Sequence, residues 1–310
     1  MAEHGPPNAA ATRWTHTLGP VAGLLLNALV WGLSWWPMRQ LAEQGLHPLW
    51  ANTWMFCLAA VLLGRHVPVL LRSLSAQPLM WLLMLGSGAT NLGFNWAVTT
   101  GDVLRVVLLF YLMPAWSLLL AWWLLGERPN RAALLRLAVT LLGMGLVLHE
   151  PGSPWPWPRS LADALALGAG VSFALVNVLL LRLGHTPAGA RMVAMFGGSA
   201  LTSLLCAGLL HASGVVSDAP VLDASHLPWL LALTLAFLLG NFTLQYGAAR
   251  LPAHTTALVM MSEIVFASVS SVWLGASELR ATVLLGGGMI IAAAASAAWP
   301  RRSHTHRTTP

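Results

Sequence analysis

Apolar segments of about 18 residues or more recur along the whole chain, each long enough to cross a hydrocarbon layer roughly 30 Å thick. No soluble core needs that many uninterrupted runs, and no other feature narrows the fold as far. Lipid offers the backbone no hydrogen-bonding partner, so runs of this length must satisfy their own N–H and C=O groups as helices. Composition agrees: 57% of the residues are hydrophobic and 8% are charged. The expected fold is all-α and polytopic. Ten spans are predicted, over residues 18–36, 48–64, 78–98, 103–125, 132–149, 161–183, 188–211, 228–249, 254–275 and 279–299.

Charge then sets orientation. The chain has sixteen arginines and no lysine, a balance that could suit nucleic acid, but the arginines sit mostly in short loops between apolar runs, where they act as topology signals. With ten spans and a cytoplasmic N-terminus, Arg13, Arg65, Arg72, Arg128, Arg131, Arg136, Arg182, Arg191, Arg250, Arg301, Arg302 and Arg307 lie inside. Arg39, Arg105, Arg159 and Arg280 lie outside. The acids follow the opposite bias, with Glu43, Asp102, Glu150, Asp163, Asp218, Asp223 and Glu278 outside. Both termini are therefore expected in the cytoplasm of a bacterial inner membrane. Residues 1–17 form a polar cytoplasmic tail, and the first apolar run lacks a small-residue cleavage site and reads as an uncleaved span. Residues 300–310 form a second cytoplasmic tail. Cys57 and Cys206 lie within apolar runs and read as small buried groups rather than a disulfide or metal pair.

The Pro- and Trp-rich segment EPGSPWPWPRS, residues 150–160, forbids a helix and suits the outer membrane–water interface. It divides the chain into units of five spans, 18–149 and 161–299. An odd number of spans per unit turns the second unit upside down. Residues 96–126 and 245–275 align without a gap at an offset of 149, which places Pro114 opposite Glu263 and Gly126 opposite Gly275. Inverted repeats of this kind characterise secondary transporters, with the substrate site near midplane between them.

Glu263 is the one carboxylate in the middle of a long apolar run, TTALVMMSEIVFASVSSVWLG. An acid at that depth normally faces a protein interior or a watery cavity. Low dielectric disfavours its anion, so it is the candidate for exchanging a proton with substrate or binding a substrate ammonium. The bland alternative is a hydrogen-bonded acid that locks helix nine to a neighbour. Asn91, Asn95 and Thr99 repeat at i, i+4, i+8 on helix three, and Asn241 and Gln245 do the same on helix eight. Such stripes line cavities or tie helices together by hydrogen bonds. Helix one presents Asn27, Trp31, Ser34 and Trp35 on one face, with Trp36 placed as an interfacial anchor. Tyr111 and Trp116 flank Pro114, where a missing N–H can create a hinge.

Glycines 143, 145, 197, 198 and 286–288, with Ser199, Thr202 and Ser203, read as close helix packing. Glu127 beside Arg128 and Arg131 reads as a local ion pair. His304 and His306 are too sparse for a metal site. No cofactor is indicated. There is no zinc-protease, serine-hydrolase or phosphate-loop motif, so neither an enzyme nor direct ATP coupling is expected.

The chain resembles the drug/metabolite transporter superfamily, in its EamA-like ten-helix branch. The resemblance rests on LVWGLSWWPMR (29–39), YLMPAWSLLLAWWLLGERPNRAALLRLAVTLLGMGLVL (111–148) and SEIVFASVSSVWLGASELRATVLLGGGMII (262–291). Two departures stand out: helix two lacks the mid-span arginine common in relatives, and the second LGE motif is spread into GASE (275–278). The resemblance implies a polytopic carrier, often an exporter of amino acids or other metabolites, with a cavity lined by both units. The expected partners are a small-molecule substrate, the lipid bilayer and, as a coupling ion, the proton; nucleic acid is not expected, and nothing fixes an oligomeric state. Glu263, Trp31, Trp35, Asn91, Asn95, Tyr111, Asn241 and Gln245 are the candidate substrate-binding residues, with Pro114 as hinge. An importer or bidirectional facilitator is the alternative; more remote is a non-transporting assembly or sensor subunit.

Overall fold

The computed structural model describes residues 9–125, 130–149, 158–216, 222–248, 250–251, 256 and 259–298. Among these the chain is all-helical and has no strand. In order the helices are α1 (Ala9–Leu33), α2 (Trp35–Glu43), α3 (Pro48–Leu62), α4 (Val67–Ala76), α5 (Leu79–Thr100), α6 (Val103–Phe110) and α7 (Met113–Leu125). Then come α8 (Arg131–Leu148), α9 (Leu161–Arg182), α10 (Ala188–Ala212), α11 (Leu227–Ala248), α12 (Ser262–Trp273) and α13 (Ala281–Ala298). The 150–160 linker lies almost wholly outside the described residues, as does Glu127.

Six stretches are long and apolar enough to cross a membrane: Leu18–Glu43, Val103–Leu120, Arg131–Leu148, Leu161–Arg182, Ala188–Ala212 and Leu227–Gly247. The pair α3 and α4, bent by 66°, makes a seventh if it counts as one span. The expected ten differ from this for local reasons. α5 has 22 residues, about 33 Å at 1.5 Å each, but Ser87, Thr90, Asn91, Asn95, Thr99 and Thr100 dilute its hydropathy. α12 has 12 residues because the helix is interrupted at Met261. The first helix also starts earlier than expected, at Ala9 rather than near residue 18.

Two interruptions have a direct covalent cause. Proline cannot donate to the carbonyl four residues back. Pro37 therefore leaves Leu33 without its acceptor role, and α1 ends at Leu33. Pro114 does the same to Phe110, where α6 ends. The expected single spans 18–36 and 103–125 are thus each two helices in series.

Small residues bring the helices together. Gly86 and Gly93, seven apart on α5, sit against Val176, Ala169 and the Leu165 backbone of α9. Gly240 and Gly247, also seven apart on α11, sit against Asn27, Val30, Leu24 and Pro20 of α1. Both pairs are antiparallel. α8 crosses α13 where Gly143 and Gly286 each face the other's carbonyl, and Gly198 of α10 lies on the Met84 backbone of α5. The packing role expected for Gly143, Gly198 and Gly286 is what the structure has. α1 and α12 instead run parallel, in contact from Asn27 and Met260 to Trp35 and Ser270.

Seven aromatic side chains from seven helices fill the middle of the bundle. Trp31 meets Phe94 and Phe237, Phe56 meets Phe196 and Phe237, and Phe110 meets Phe94 and Phe173. Ring centroids lie 4.4 to 6.4 Å apart, within the range of favourable aromatic contact.

Candidate functional site

Glu263 occupies the first turn of α12, immediately after the interruption at Met261. It is not in the middle of an unbroken helix, as the apolar run suggested. Helix N-termini carry N–H groups without intrahelical partners, which makes the first turn a favourable place for a carboxylate. The side chain is buried, with 6% exposure. Its Oε2 accepts a 2.8 Å hydrogen bond from the Tyr111 hydroxyl, which also lies 3.2 Å from the Met260 carbonyl oxygen.

Tyr111 sits in the break between α6 and α7, and Glu263 follows the break before α12. α7 starts at Met113 and α12 at Ser262, so the two starts are separated by 149 residues, the offset of the sequence repeat. Tyr111 and Met260, in contact, are also 149 apart. α1 covers the same point: a Cβ on Gly32 would lie 2.7 Å from the Phe266 Cβ and 2.9 Å from the Glu263 carbonyl oxygen. Asn27 donates to the Met260 sulfur at 3.4 Å, and the Trp35 indole donates to Ser270 Oγ at 3.0 Å. Glu263 and Tyr111 thus meet beside Gly32 of α1, with Trp31 and Trp35 in the same apolar cluster as Tyr111 and Pro114 in the first turn of α7.

The amide stripes do not join them. Asn91 donates to Ser199 of α10 at 2.8 Å, and Asn95 donates to Asn52 of α3 at 2.7 Å. Asn241 and Gln245 bond each other along α11 at 2.8 Å, and Thr99 bonds the Trp96 carbonyl. Hydrogen bonds of this kind in membranes contribute about 0.6 to 2 kcal/mol each. Asn91 and Asn95 thus serve as ties between helices in this state. Asn52, which the sequence reading passed over, is fully buried and was legible as a lone amide in an apolar run. Trp36 is exposed and meets Trp229 edge-on, as suits an interfacial anchor.

A cavity of about 90 Å³ lies between α7, α8 and α13, lined by Tyr111, Pro114, Arg136, Thr140 and Ile290 among others. Tyr111, the hydrogen-bond partner of Glu263, is one of its lining residues. A larger one, about 510 Å³, opens at the end of the bundle where α6 and α9 begin and α12 finishes. The charged residues there were read from the sequence as signals of orientation, not as partners. Arg105 grips Asp163 through two 2.8 Å bonds and also donates to the Val147 carbonyl. Arg39 donates to the Val98 and Gly101 carbonyls and stacks over Trp35.

The fold and this convergence define an all-helical protein with helices fit to span a membrane and an acid buried where interrupted helices meet. One comparison matches the first part of the chain, somewhat under half of it, to a family. Residues 19–149 match the model of the EamA-like transporter family, which bears out the resemblance to the drug/metabolite transporter superfamily. The matched family is one of transporters. A solved structure described as "Crystal structure of protein" is 18% identical, covers 92% of this chain and 96% of its own, and superposes with a TM-score of 0.54; that likeness concerns the fold alone. No curated protein sequence matches the chain.

Proposed function

We propose that the chain is a secondary carrier of ten spans in two inverted five-helix repeats, 18–149 and 161–299, that exports a small metabolite across the bacterial inner membrane. The observation that carries this reading is the Tyr111–Glu263 pair, held where two helices break at positions 149 residues apart. Discontinuous helices in corresponding places of two repeats are where such carriers hold substrate. A residue and its symmetry equivalent touch only near the axis relating the repeats, and Tyr111 touches Met260.

Helix pairing supports the same arrangement. α5 packs on α9 as α11 packs on α1, and α6 with α7 packs on α9 as α12 packs on α1. Moving five spans along the chain exchanges the members of each pairing.

The substrate is a neutral or zwitterionic compound with an apolar part, amino-acid-like in character. The aromatic cluster around Trp31 offers apolar walls, and Glu263 offers one polar anchor for an ammonium or a proton. Trp31, Trp35 and Tyr111 act beside Glu263; Asn91, Asn95, Asn241 and Gln245 reach substrate only if the carrier's other states free them from their present ties. Alternation would proceed by rocking of one repeat against the other, with Pro114 at the hinge. The test compares metabolites in the medium of cells with and without the overexpressed, membrane-inserted protein. Accumulation of an amino-acid-like compound outside is the expected result, and no difference in any metabolite would sink the export reading.

A further inference from the structure

We infer that the Arg105–Asp163 ion pair is the outer gate of this carrier, a latch that α6 couples to the Tyr111–Glu263 site. The inference rests on the two-repeat reading above.

Polar links between the first repeat and the second gather at this end of the bundle, where His226 Nε2 also lies 3.4 Å from the Gln44 carbonyl oxygen. Arg105 Nε and the terminal nitrogen Nη2 each donate to an Asp163 oxygen at 2.8 Å, a forked geometry that fixes both side chains. The Leu104 N–H donates to Ser277 Oγ at 3.0 Å, and the Glu278 N–H donates to Asp102 Oδ2 at 3.3 Å. At the opposite end the exposed Gln77–His185 hydrogen bond links the repeats.

Asp163 is also held from its own end of α9. Its Oδ2 accepts from the Arg159 N–H at 3.3 Å, and Ser160 caps α9 by accepting from the Asp163 N–H at 3.0 Å. Asp102 caps α6 in the same way, accepting from the Arg105 N–H at 2.8 Å. Each partner is thus anchored to its own helix, and the two meet across the boundary between repeats.

The surroundings suit a contact that opens. Asp163 is almost fully buried, yet Arg105 and Asp163 both line the cavity of about 510 Å³, so water stands ready to solvate the two charges once they part. Below them Val106, Val107 and Phe110 are buried and close the way inward. Tyr111 follows six residues after Arg105, about 9 Å along α6 at 1.5 Å per residue. One short helix therefore carries the latch at one end and the Glu263 partner at the other. A tilt of α6 that frees Glu263 would move Arg105 as well.

The test uses the full-length protein in lipid vesicles, with Cys57 and Cys206 replaced by alanine and one reporter, Ala166→Cys. Ala166 is buried on α9, three residues inward of Asp163. A membrane-impermeant maleimide is added from the face bearing Ser160. Arg105→Gln and Asp163→Asn should each raise the labelling rate on the order of tenfold, and Arg105→Asp with Asp163→Arg should bring it back toward the starting rate. Unchanged labelling in folded single variants would overturn the gate.

If both single variants fail to insert, Arg105→Lys decides, since it keeps the charge and loses the fork. Raised labelling in that variant supports the latch, and labelling at the original rate makes the pair a static brace. The readout needs no substrate. Latch-dependent labelling without transport leaves the gate standing and removes the carrier reading; transport with latch-independent labelling removes the gate alone.

Discussion

Glu263 and Tyr111 could each be picked out of the sequence, one as an acid in hydrocarbon and the other as a neighbour of Pro114, but their bond could not. Nothing in a linear pattern brings residues 152 apart together, and here the crossing of two interrupted helices does it. A buried carboxylate without a cation beside it is costly unless it is hydrogen-bonded or neutral. Tyr111 supplies the hydrogen bond, and a proton or a substrate ammonium is what would compete with it. Glu263→Gln keeps the shape and the acceptor for Tyr111 but cannot ionise. It should insert normally and lower transport by roughly tenfold or more, with the pH dependence of the remainder abolished. Proteoliposome uptake of the exported compound at several pH values would measure this. A wild-type rate and pH profile would make the acid a structural tie. Loss of substrate binding with the pH dependence retained would point to direct recognition instead of coupling.

At the scale of elements, the sequence was most legible where a covalent rule acts. Helical class, the glycine crossings and a hinge at Pro114 were read from residue chemistry, while the full breaks at Leu33 and Phe110 obey the same proline rule but were expected as continuous spans. The interruption at Met261 follows from neither proline nor glycine, since none stands at 261–263; there the Ser262 hydroxyl donates to the Val259 carbonyl at 2.7 Å, competing with the helix ladder. The asparagine stripes show the converse: the period was visible, but a helical face does not say whether it meets a cavity or another amide. Loop termini were similarly opaque. His47 caps α3, its Nδ1 accepting from the Leu49 N–H at 3.2 Å, and its ring packs edge-on against Trp96. Burial pushes its pKa below the ordinary value of 6.5. The imidazole is held neutral in the folded state, so its stabilising contribution is complete above the unfolded value and is lost as pH falls through the lowered folded one. Protonation also removes the capping acceptor, a contribution of about 1 kcal/mol. The melting temperature in detergent should therefore drop between about pH 7.5 and pH 5, and part of that drop should vanish in His47→Asn, which caps without titrating. An identical pH-dependent loss in the two proteins would show that the cap does not titrate.

For the whole molecule, helix direction is the quantity that joins charge pattern to architecture. Alternate insertion makes odd-numbered spans run outward and even-numbered spans inward. α1 and α12, the proposed first and ninth spans, should then be parallel, and they are. α5 with α9, α11 with α1 and α8 with α13 should each be antiparallel, and their glycine contacts run in opposite directions. α5 and α10, third and seventh, should be parallel, as their ascending contacts from Met84 with Gly198 to Gly88 with Thr202 are. Five independent pairings thus agree with ten spans, although hydropathy and length alone give six or seven. In the proposed orientation the arginine bias sets the absolute sense, with Ser160 outside and His185 inside. Single cysteines in the background free of Cys57 and Cys206 test both points at once. An impermeant maleimide applied to intact cells should label Thr100→Cys, Ser160→Cys and Leu279→Cys. It should leave Arg131→Cys, His185→Cys and Arg250→Cys unlabelled until the membrane is opened. Reversal of the two sets would invert the orientation and turn the proposed exporter's outer gate into an inner one. A mixed result, with Thr100 and His185 reached from the same side, would break the alternation itself, and with it the inverted repeat on which the placement of Glu263 near a symmetry axis depends.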